Sequence, residues 1–431
     1  MISRMPLRAL TFLAAATLVV ASVDATTSPA PLQQTPRIVA VGDVHGAFDA
    51  FVGILQTAGV IDANRQWSGG TTVLVQTGDV FDRGPGVRDA LDLLIRLEGD
   101  ARRAGGRVEA LLGNHEMMNI LSEFKDVAPA GFAAFADARS ENRQRRGYDE
   151  YARLARQRGS KDKPAQSQAD WLAAHPPGFI EYVEALGPRG KYGRWLRARK
   201  VVTTVGGSAF MHAGVHPDWS GSLDDVNRTA ASDVTSWDRA RELMVQARLV
   251  PEFCTLDEAI DAAAVELQRI AEALKTGAPP GDHVTREFVD RIQGLLQIGK
   301  SSLLDPDGPL WFRGYAQWPD TDEPKMTALV QRFNVQRFVT GHTPSLPGRV
   351  RMRFGGRSFL IDTGMLSTYF KGGRASALEI QDGRITAIYT DAREVLQPPA
   401  GAYFVPAPFF RGAAPLSAAR AADAASAAVR Y

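Results

Sequence analysis

Cysteine is almost absent: Cys254 is the single thiol in 431 residues. An internal disulfide is therefore excluded, and so is a cysteine-based zinc cluster. The expected place of Cys254 is that of a small buried hydrophobe. An excess of either charge is missing too. The formal net charge is +2 and the isoelectric point is near 8.6, too even a balance to point to nucleic acid. Internal repeats are absent. Histidine is scarce, with seven residues in the chain, so where those seven fall carries information. With 45% hydrophobic and 23% charged residues, the composition is that of a globular chain with material for one large core or two domains.

One apolar run stands out, "ALTFLAAATLVVASV", preceded by Arg4 and Arg8 and followed by small residues Val23 and Ala25 at cleavage spacing. This pattern predicts a secretory signal peptide over residues 1–25. The run falls short of the roughly 20 residues a bilayer span needs, so no stable membrane insertion is expected after cleavage. Its opening stretch has no cysteine for lipid attachment. Export from a chain rich in Ala and Arg points to a periplasmic or secreted protein. Residues 26–36 read as a Pro- and Thr-rich linker, and residues 396–431 as an Ala-rich, low-complexity tail.

Between them, residues 37–395 read as one α/β domain. "RIVAVGDVHG", "TTVLVQTGDVFDRG" and "RVEALLGNHE" are apolar strands, separated by helical patterns in "AFDAFVGILQTAGVI" and "GVRDALDLLIRLEGDARRAGG". Strand, helix, strand, helix, strand is a βαβαβ unit with a parallel sheet. Helical insertions are expected at about 117–200 and 222–308, the clearest being "DEAIDAAAVELQRIAEALKTG". "VVTTVGGSAFMHAGV", "VQRFVTGHTP" and "RSFLIDTGM" return to strand, and Asp382-Gly383 marks a hairpin in "ALEIQDGRITAIYT".

The informative pattern is what ends the strands. Asp43 and His45, Asp79, Asn114 and His115, His212, and His342 each follow an apolar run. Ligands of open α/β sheets bind outside the carboxyl ends of the strands, so five separate positions would meet in one crevice. An Asp after a strand is by itself a common cap or turn residue, and a lone histidine is commonly structural. Four of the seven histidines at such ends, with two aspartates and an asparagine, form a mixed oxygen and nitrogen set. That set suits Mn, Fe or Zn better than Ca, and a shared carboxylate would bridge two such ions. The other histidines, His175, His216 and His283, lie in polar or Pro-flanked segments and are expected at the surface. Arg83, four residues past Asp79, and Arg313, at the end of "GPLWFRG", add guanidinium groups that match phosphate oxygens in a bidentate fork.

"GDVHG", "GDVFDRG", "GNHE", "HAG" and "GHT", in this order, resemble the phosphoprotein phosphatases of the calcineurin-like metallophosphoesterases. The secretion signal and helical insertions resemble the bacterial, Shewanella-like branch. The resemblance implies a calcineurin-like metallophosphoesterase fold, a four-layer α/β/β/α sandwich with helical insertions. It implies two divalent or trivalent metal ions (Mn, Fe or Zn), one held by Asp43, His45 and Asp79, the other by Asp79, Asn114, His212 and His342. Arg83, Asn114 and Arg313 would bind phosphate. His115 would be the general acid, oriented by Asp82. Glu116 is left as a supporting or helix-start residue without a firm role. Two departures from the family's eukaryotic members stand out. Ala213 replaces the first glycine of "HGG". "IDTGM" stands where those members have a segment placing an aromatic residue at the phosphate, so Asp362 either takes that contact or caps its strand.

The expected activity is hydrolysis of phosphate monoesters by direct attack of an activated water. The substrate would be a phosphorylated protein, peptide or small molecule, with a lean toward phosphotyrosine over phosphoserine or phosphothreonine. A dinucleoside polyphosphate hydrolase uses a similar motif set, although export argues against a cytoplasmic nucleotide. A non-catalytic phosphate-binding protein is the reading from another class, and the complete ligand set argues against it.

Overall fold

The strand Ile38–Val41, IVAV, is buried on both faces, and this sets the layering. Successive side chains of a strand point to opposite faces. Ile38 and Ala40 pack with Val205, Phe210, Val339 and Phe359 of a second sheet. Val39 and Val41 pack on the other face with Phe51, Leu55, Leu91 and Leu94 of two helices. In this computed structural model, residues 36–158, 166–345 and 347–396 are described. The expected leader, the linker to residue 35 and the tail from 397 lie outside them.

The strands are β1 (Ile38–Val41), β2 (Val73–Gln76), β3 (Arg107–Ala110), β4 (Val202–Val205), β5 (Ser208–Met211), β6 (Arg337–Thr340), β7 (Arg351–Arg353), β8 (Ser358–Leu360), β9 (Ser376–Gln381), β10 (Arg384–Tyr389) and β11 (Arg393–Leu396). One sheet runs β11-β10-β9-β1-β2-β3 and the other β4-β5-β6-β8-β7. Strands β1, β2 and β3 are parallel, with Ile38 opposite Val73 and Val73 opposite Arg107. β5, β6 and β8 are also parallel. Helices α1 (Phe48–Thr57) and α2 (Val87–Arg103) make the first two crossovers, so the expected βαβαβ unit is present. Helix, sheet, sheet and helix are stacked as the four layers.

Between β3 and β4 lie α3 (Asn114–Ile120), α4 (Pro129–Ala133), α5 (Ser140–Arg158), α6 (Gln168–Ala174), α7 (Phe179–Leu186) and α8 (Lys191–Arg197). Between β5 and β6 lie α9 (Leu223–Gln246), α10 (Leu256–Thr276), α11 (Arg286–Leu295), α12 (Gly314–Gln317) and α13 (Glu323–Arg332). Helix α10 starts on a capping box of Thr255 and Glu258 and stops at the left-handed Gly277. Trp237 of α9 donates to the Ile120 carbonyl at 2.9 Å, tying the second helical block to α3. Among the described residues, no helix is long and apolar enough to cross a membrane.

The hairpin at Asp382-Gly383 forms as expected, with both residues at positive φ. The segment "VVTTVGGSAFM" makes two antiparallel strands, β4 and β5, because Gly206 and Gly207 turn it at positive φ. The short strands β7 and β11 carry no clear alternation and were not anticipated. His175 is not a surface residue: it is 4% exposed. Its ring stacks on Trp171, centroids 4.0 Å apart and planes 10° from parallel. The following prolines end α6 there, which folds the imidazole back over its own helix.

Candidate active site

Each site residue sits one to seven positions past a strand: Asp43 and His45 after β1, Asp79, Asp82 and Arg83 after β2, Asn114 and His115 after β3, His212 after β5, His342 after β6. The strands of each parallel set end on the same side, and loops from the two sheets interlock there. The His342 amide donates to Asp43 Oδ1 at 3.0 Å and His212 Nδ1 to the Thr77 carbonyl at 3.1 Å, while within the first sheet the Val44 and His45 amides both donate to the Asp79 carbonyl at 2.9 Å. His45, Asp79, Asp82, Arg83 and His342 all have positive φ, between 46° and 70°. Such backbone costs on the order of 1 kcal/mol per non-glycine residue and persists where surrounding contacts force it.

One of those contacts is Glu116. Its carboxylate accepts from the amides of Asp79, Val80 and Gly113, each at 2.7 Å, and of Phe81 at 3.3 Å. One side chain at the start of α3 therefore fixes the whole loop that carries Asp79, Asp82 and Arg83. Gly113 is required beside it, because a Cβ there would run into Asp79 Oδ1.

The imidazoles are oriented by backbone carbonyls. A carbonyl only accepts, so the ring nitrogen against it carries the proton and the other presents a lone pair. His45 Nδ1 donates to Phe81 O (2.9 Å), His212 Nδ1 to Thr77 O (3.1 Å) and His342 Nε2 to Trp311 O (3.1 Å). The remaining nitrogens all face the centre. His45 Nε2 and His212 Nε2 lie 3.6 and 3.3 Å from Asp79 Oδ2. His342 Nδ1 and Asn114 Oδ1 lie 3.0 and 2.8 Å from His212 Nε2. Lone pairs converging on a carboxylate repel one another and fit a bound cation. Among the described residues, two groups have that spacing: His45, Asp79 and His115, and Asp79, His212 and His342.

Electrostatics divide the histidines into two kinds. Burial, reinforced by neighbouring positive groups, depresses His45 to about 3 and holds His342 well below its ordinary value, so both are neutral. Burial opposes protonation of His115 as well, but Asp79 and Asp82 outweigh it and raise the group to about 9. His115 Nδ1 lies 2.6 Å from Asp82 Oδ2. Burial also works against ionised Asp79, but the neighbouring imidazoles, His212 and His115 foremost, hold it well below the usual carboxylate range. His45 and His342 are thus neutral imidazoles suited to coordination, and His115 is a charged one carrying a proton to give.

Both arginines flank this centre. Arg83 reaches His45 Nε2 at 2.7 Å and His115 Nε2 at 3.1 Å, and its Nε is buried without a hydrogen-bond partner. Its guanidinium lies 4.8 Å from the Tyr369 ring and 5.4 Å from Phe370. Arg313 donates to His342 O at 2.9 Å and Thr343 Oγ1 at 3.0 Å.

Every sequence-derived candidate reaches this crevice, with one difference in grouping. Asp43 Oδ2 lies 4.0 Å from His45 Nε2, but the carboxylate accepts from the His342 amide at 3.0 and 3.1 Å, and His115 stands closer to the first group than Asp43 does. Burial and the nearby Asp362 raise Asp43 above its ordinary value. Asp362, buried, accepts from the Gly364 amide at 2.9 Å and is itself pushed up to about 6 by burial. It caps its strand beside Asp43. Glu116, expected as a supporting or helix-start residue, stands in the first turn of α3, whereas Asn119, Tyr369 and Phe370 carry no such signal in the sequence. A Glu three residues past Gly113 was the one signal for Glu116.

Residues 36–229 match the family described as calcineurin-like phosphoesterase. A Schizosaccharomyces pombe protein of uncharacterised function is 29% identical over 82% of this chain and 81% of its own, so the likeness continues beyond the matched segment. The Shewanella-like protein phosphatase 2 of Arabidopsis thaliana is 32% identical over 42% of this chain, about half (47%) of its own length. Among solved structures, the cold-active protein-tyrosine phosphatase of a psychrophilic Shewanella shares the fold: 23% identity, a TM-score of 0.53, and coverage of 84% of this chain and 81% of that one. Motif order, two stacked sheets and a histidine-aspartate crevice at the strand ends agree with these matches. Residues 36–229 form a calcineurin-like metallophosphoesterase domain, and the chain is a phosphoester hydrolase similar to the Shewanella-like protein phosphatases.

Proposed function

We propose that the chain is an exported, periplasmic or secreted phosphomonoesterase that uses two metal ions and prefers phosphotyrosine to phosphoserine or phosphothreonine. The convergence of lone pairs on Asp79, beside a buried and unpaired Arg83 Nε, carries the reading. Asp43, His45 and Asp79 would hold one ion, and Asp79, Asn114, His212 and His342 the other. When bound, such a pair neutralises phosphoryl oxygens and acidifies the attacking water.

The protein's own part is positioning and proton transfer. Arg83, Arg313 and Asn114 take the phosphate oxygens, which satisfies the Arg83 donor that has no protein acceptor. His115 Nε2 delivers its proton to the leaving oxygen, while Asp82 keeps hold of Nδ1. Tyr369 and Phe370 supply an aromatic wall beside Arg83, and Phe370 continues it to His45, ring centroids 6.2 Å apart. A phenyl ring leaving the phosphate packs on such a wall, whereas a serine side chain does not reach it.

The test is phosphate release from p-nitrophenyl phosphate by the chain from residue 26 onward, after chelation and again with manganese restored. Loss and recovery of turnover support the reading; no turnover with any divalent metal sinks it. Phosphotyrosine peptide, phosphoserine peptide and diadenosine tetraphosphate, compared by kcat/KM, then decide the substrate class.

A further inference from the structure

His115 is held from behind by a chain of hydrogen bonds that leads out of the crevice into the helices between β3 and β4. Asp82 Oδ2 faces His115 Nδ1 at 2.6 Å. The other oxygen, Asp82 Oδ1, accepts from Asn119 Nδ2 at 2.9 Å, and the same amide nitrogen donates to the His115 carbonyl at 2.9 Å. Asn119 Oδ1 then accepts the Tyr182 hydroxyl at 2.6 Å. His115, Asp82, Asn119 and Tyr182 are each no more than 3% exposed.

We propose that Asn119 and Tyr182 are positioning residues for the general acid, so that α7 holds His115 in its working orientation through Asn119 and Asp82. The proposal rests on the reading of His115 as the proton donor.

The polarity of the chain leaves one arrangement. A carboxylate only accepts, so the Asn119 amide must turn its nitrogen to Asp82, and its oxygen is left facing away. A buried amide oxygen requires a donor, and the Tyr182 hydroxyl is that donor. Asp82 sits on left-handed backbone in a loop, and Asn119 holds the carboxylate oxygen that His115 does not use. Without it the carboxylate is free to rotate, and the imidazole loses its fixed plane. Tyr182 itself has little freedom. Its ring is caged by Phe124, Phe132 and Phe135, with centroids 5.6, 5.1 and 5.1 Å away, so only the hydroxyl tip meets a polar atom. Buried networks that are fully satisfied are the ones that specify a single geometry. Asn119 lies four residues past His115 on α3, within reach of the same carboxylate. Tyr182 lies 63 residues further on.

The alternative is that Tyr182 is a core residue whose hydroxyl found a convenient acceptor. Leaving-group dependence separates the two. A proton donor matters most when the leaving oxygen is basic, so phenyl phosphate depends on it and p-nitrophenyl phosphate hardly does. Tyr182→Phe keeps the ring and removes the tip. We expect its kcat on phenyl phosphate to fall about tenfold more than its kcat on p-nitrophenyl phosphate, with KM unchanged for both. Asn119→Ala should show the same imbalance, larger. Equal losses on the two esters, or no loss, would overturn the proposal, as would an imbalance that merely tracks a fall in Tm across Tyr182→Phe and Tyr182→Leu. His115→Asn is run alongside. If it shows no leaving-group imbalance, the proton-donor reading itself fails. If it shows one and Tyr182→Phe does not, only the positioning role fails.

Discussion

The Glu116 carboxylate lies 2.7 Å from the amide of Asp79 and pins the backbone of the residue on which both metal-type groups converge. Four amides share its two oxygens, so an amide side chain cannot replace it. In Glu116→Gln the new NH2 would face backbone donors, and one oxygen would be left to serve them all. The expected cost is about 1–3 kcal/mol, read as a lower urea midpoint, together with weaker retention of metal on dialysis. An unchanged midpoint would mean that the loop holds its shape without the clamp.

Gly113 gives a sharper version of the same test. Gly113→Ala drives a methyl into Asp79 Oδ1, so metal content and turnover should fall together. Gly53, inside α1, has nothing within 4 Å of its missing Cβ. Gly53→Ala should leave activity alone and raise stability by about 0.5–1 kcal/mol, the usual helix-interior difference. Metal analysis and thermal unfolding of the two variants form one experiment, and equal behaviour would contradict the packing argument.

Tyr369 is 58% exposed, and its ring lies beside Arg83. If it forms the wall for a substrate ring, Tyr369→Ala should lower kcat/KM on a phosphotyrosine peptide about three- to tenfold, the worth of one aromatic contact. The value on a phosphoserine peptide should stay level. A uniform loss on both peptides would assign Tyr369 to holding Arg83 instead.

Cys254 provides the pH dependence. Burial pushes its thiol from 9.0 up to about 11. Below pH 9 the thiol is protonated in both folded and unfolded chains, and its contribution is fully present. Between pH 9 and 11 the unfolded chain ionises while the folded one resists, so stability falls across that window, on the order of 2–3 kcal/mol in all. Cys254→Ala should flatten that limb of the unfolding curve. The native thiol should also resist thiol reagents at pH 8 and react on unfolding. Parallel alkaline limbs in the two proteins would rule this out.

What could be read from the sequence follows from locality. Parallel strands deliver their ends to one edge, so "GDVHG", "GDVFDRG" and "GNHE" announce a shared crevice without coordinates. The groups that set the imidazole tautomers, the carbonyls of Thr77, Phe81 and Trp311, are backbone atoms and leave no side-chain signature. Glu116 stood in plain view, but its partners at 79–81 are 35 to 37 positions away, and only the fold joins them. His175 follows a similar logic: the prolines after it suggested a surface loop, while Trp171 one turn earlier gave it a buried stacking partner. Asn119 and Tyr182 read as interior residues of helices, and their polarity acquires meaning only once Asp82 is placed between them and His115.

The pairing of β1 with β9 bears on how the chain is made. β1 carries Asp43 and His45 at its end, yet one of its edges is filled by Ser376–Gln381. Arg37 meets Glu379 across 342 positions at 2.7 Å. Synthesis starts from the N-terminus, so β1 emerges early and waits for nearly the whole chain before β9, its last neighbour, arrives. Contacts this far apart slow folding. Fragments ending before residue 376 would expose the edge of β1 as an open, apolar pairing surface, and such nascent or truncated chains would be the aggregation-prone species of this protein.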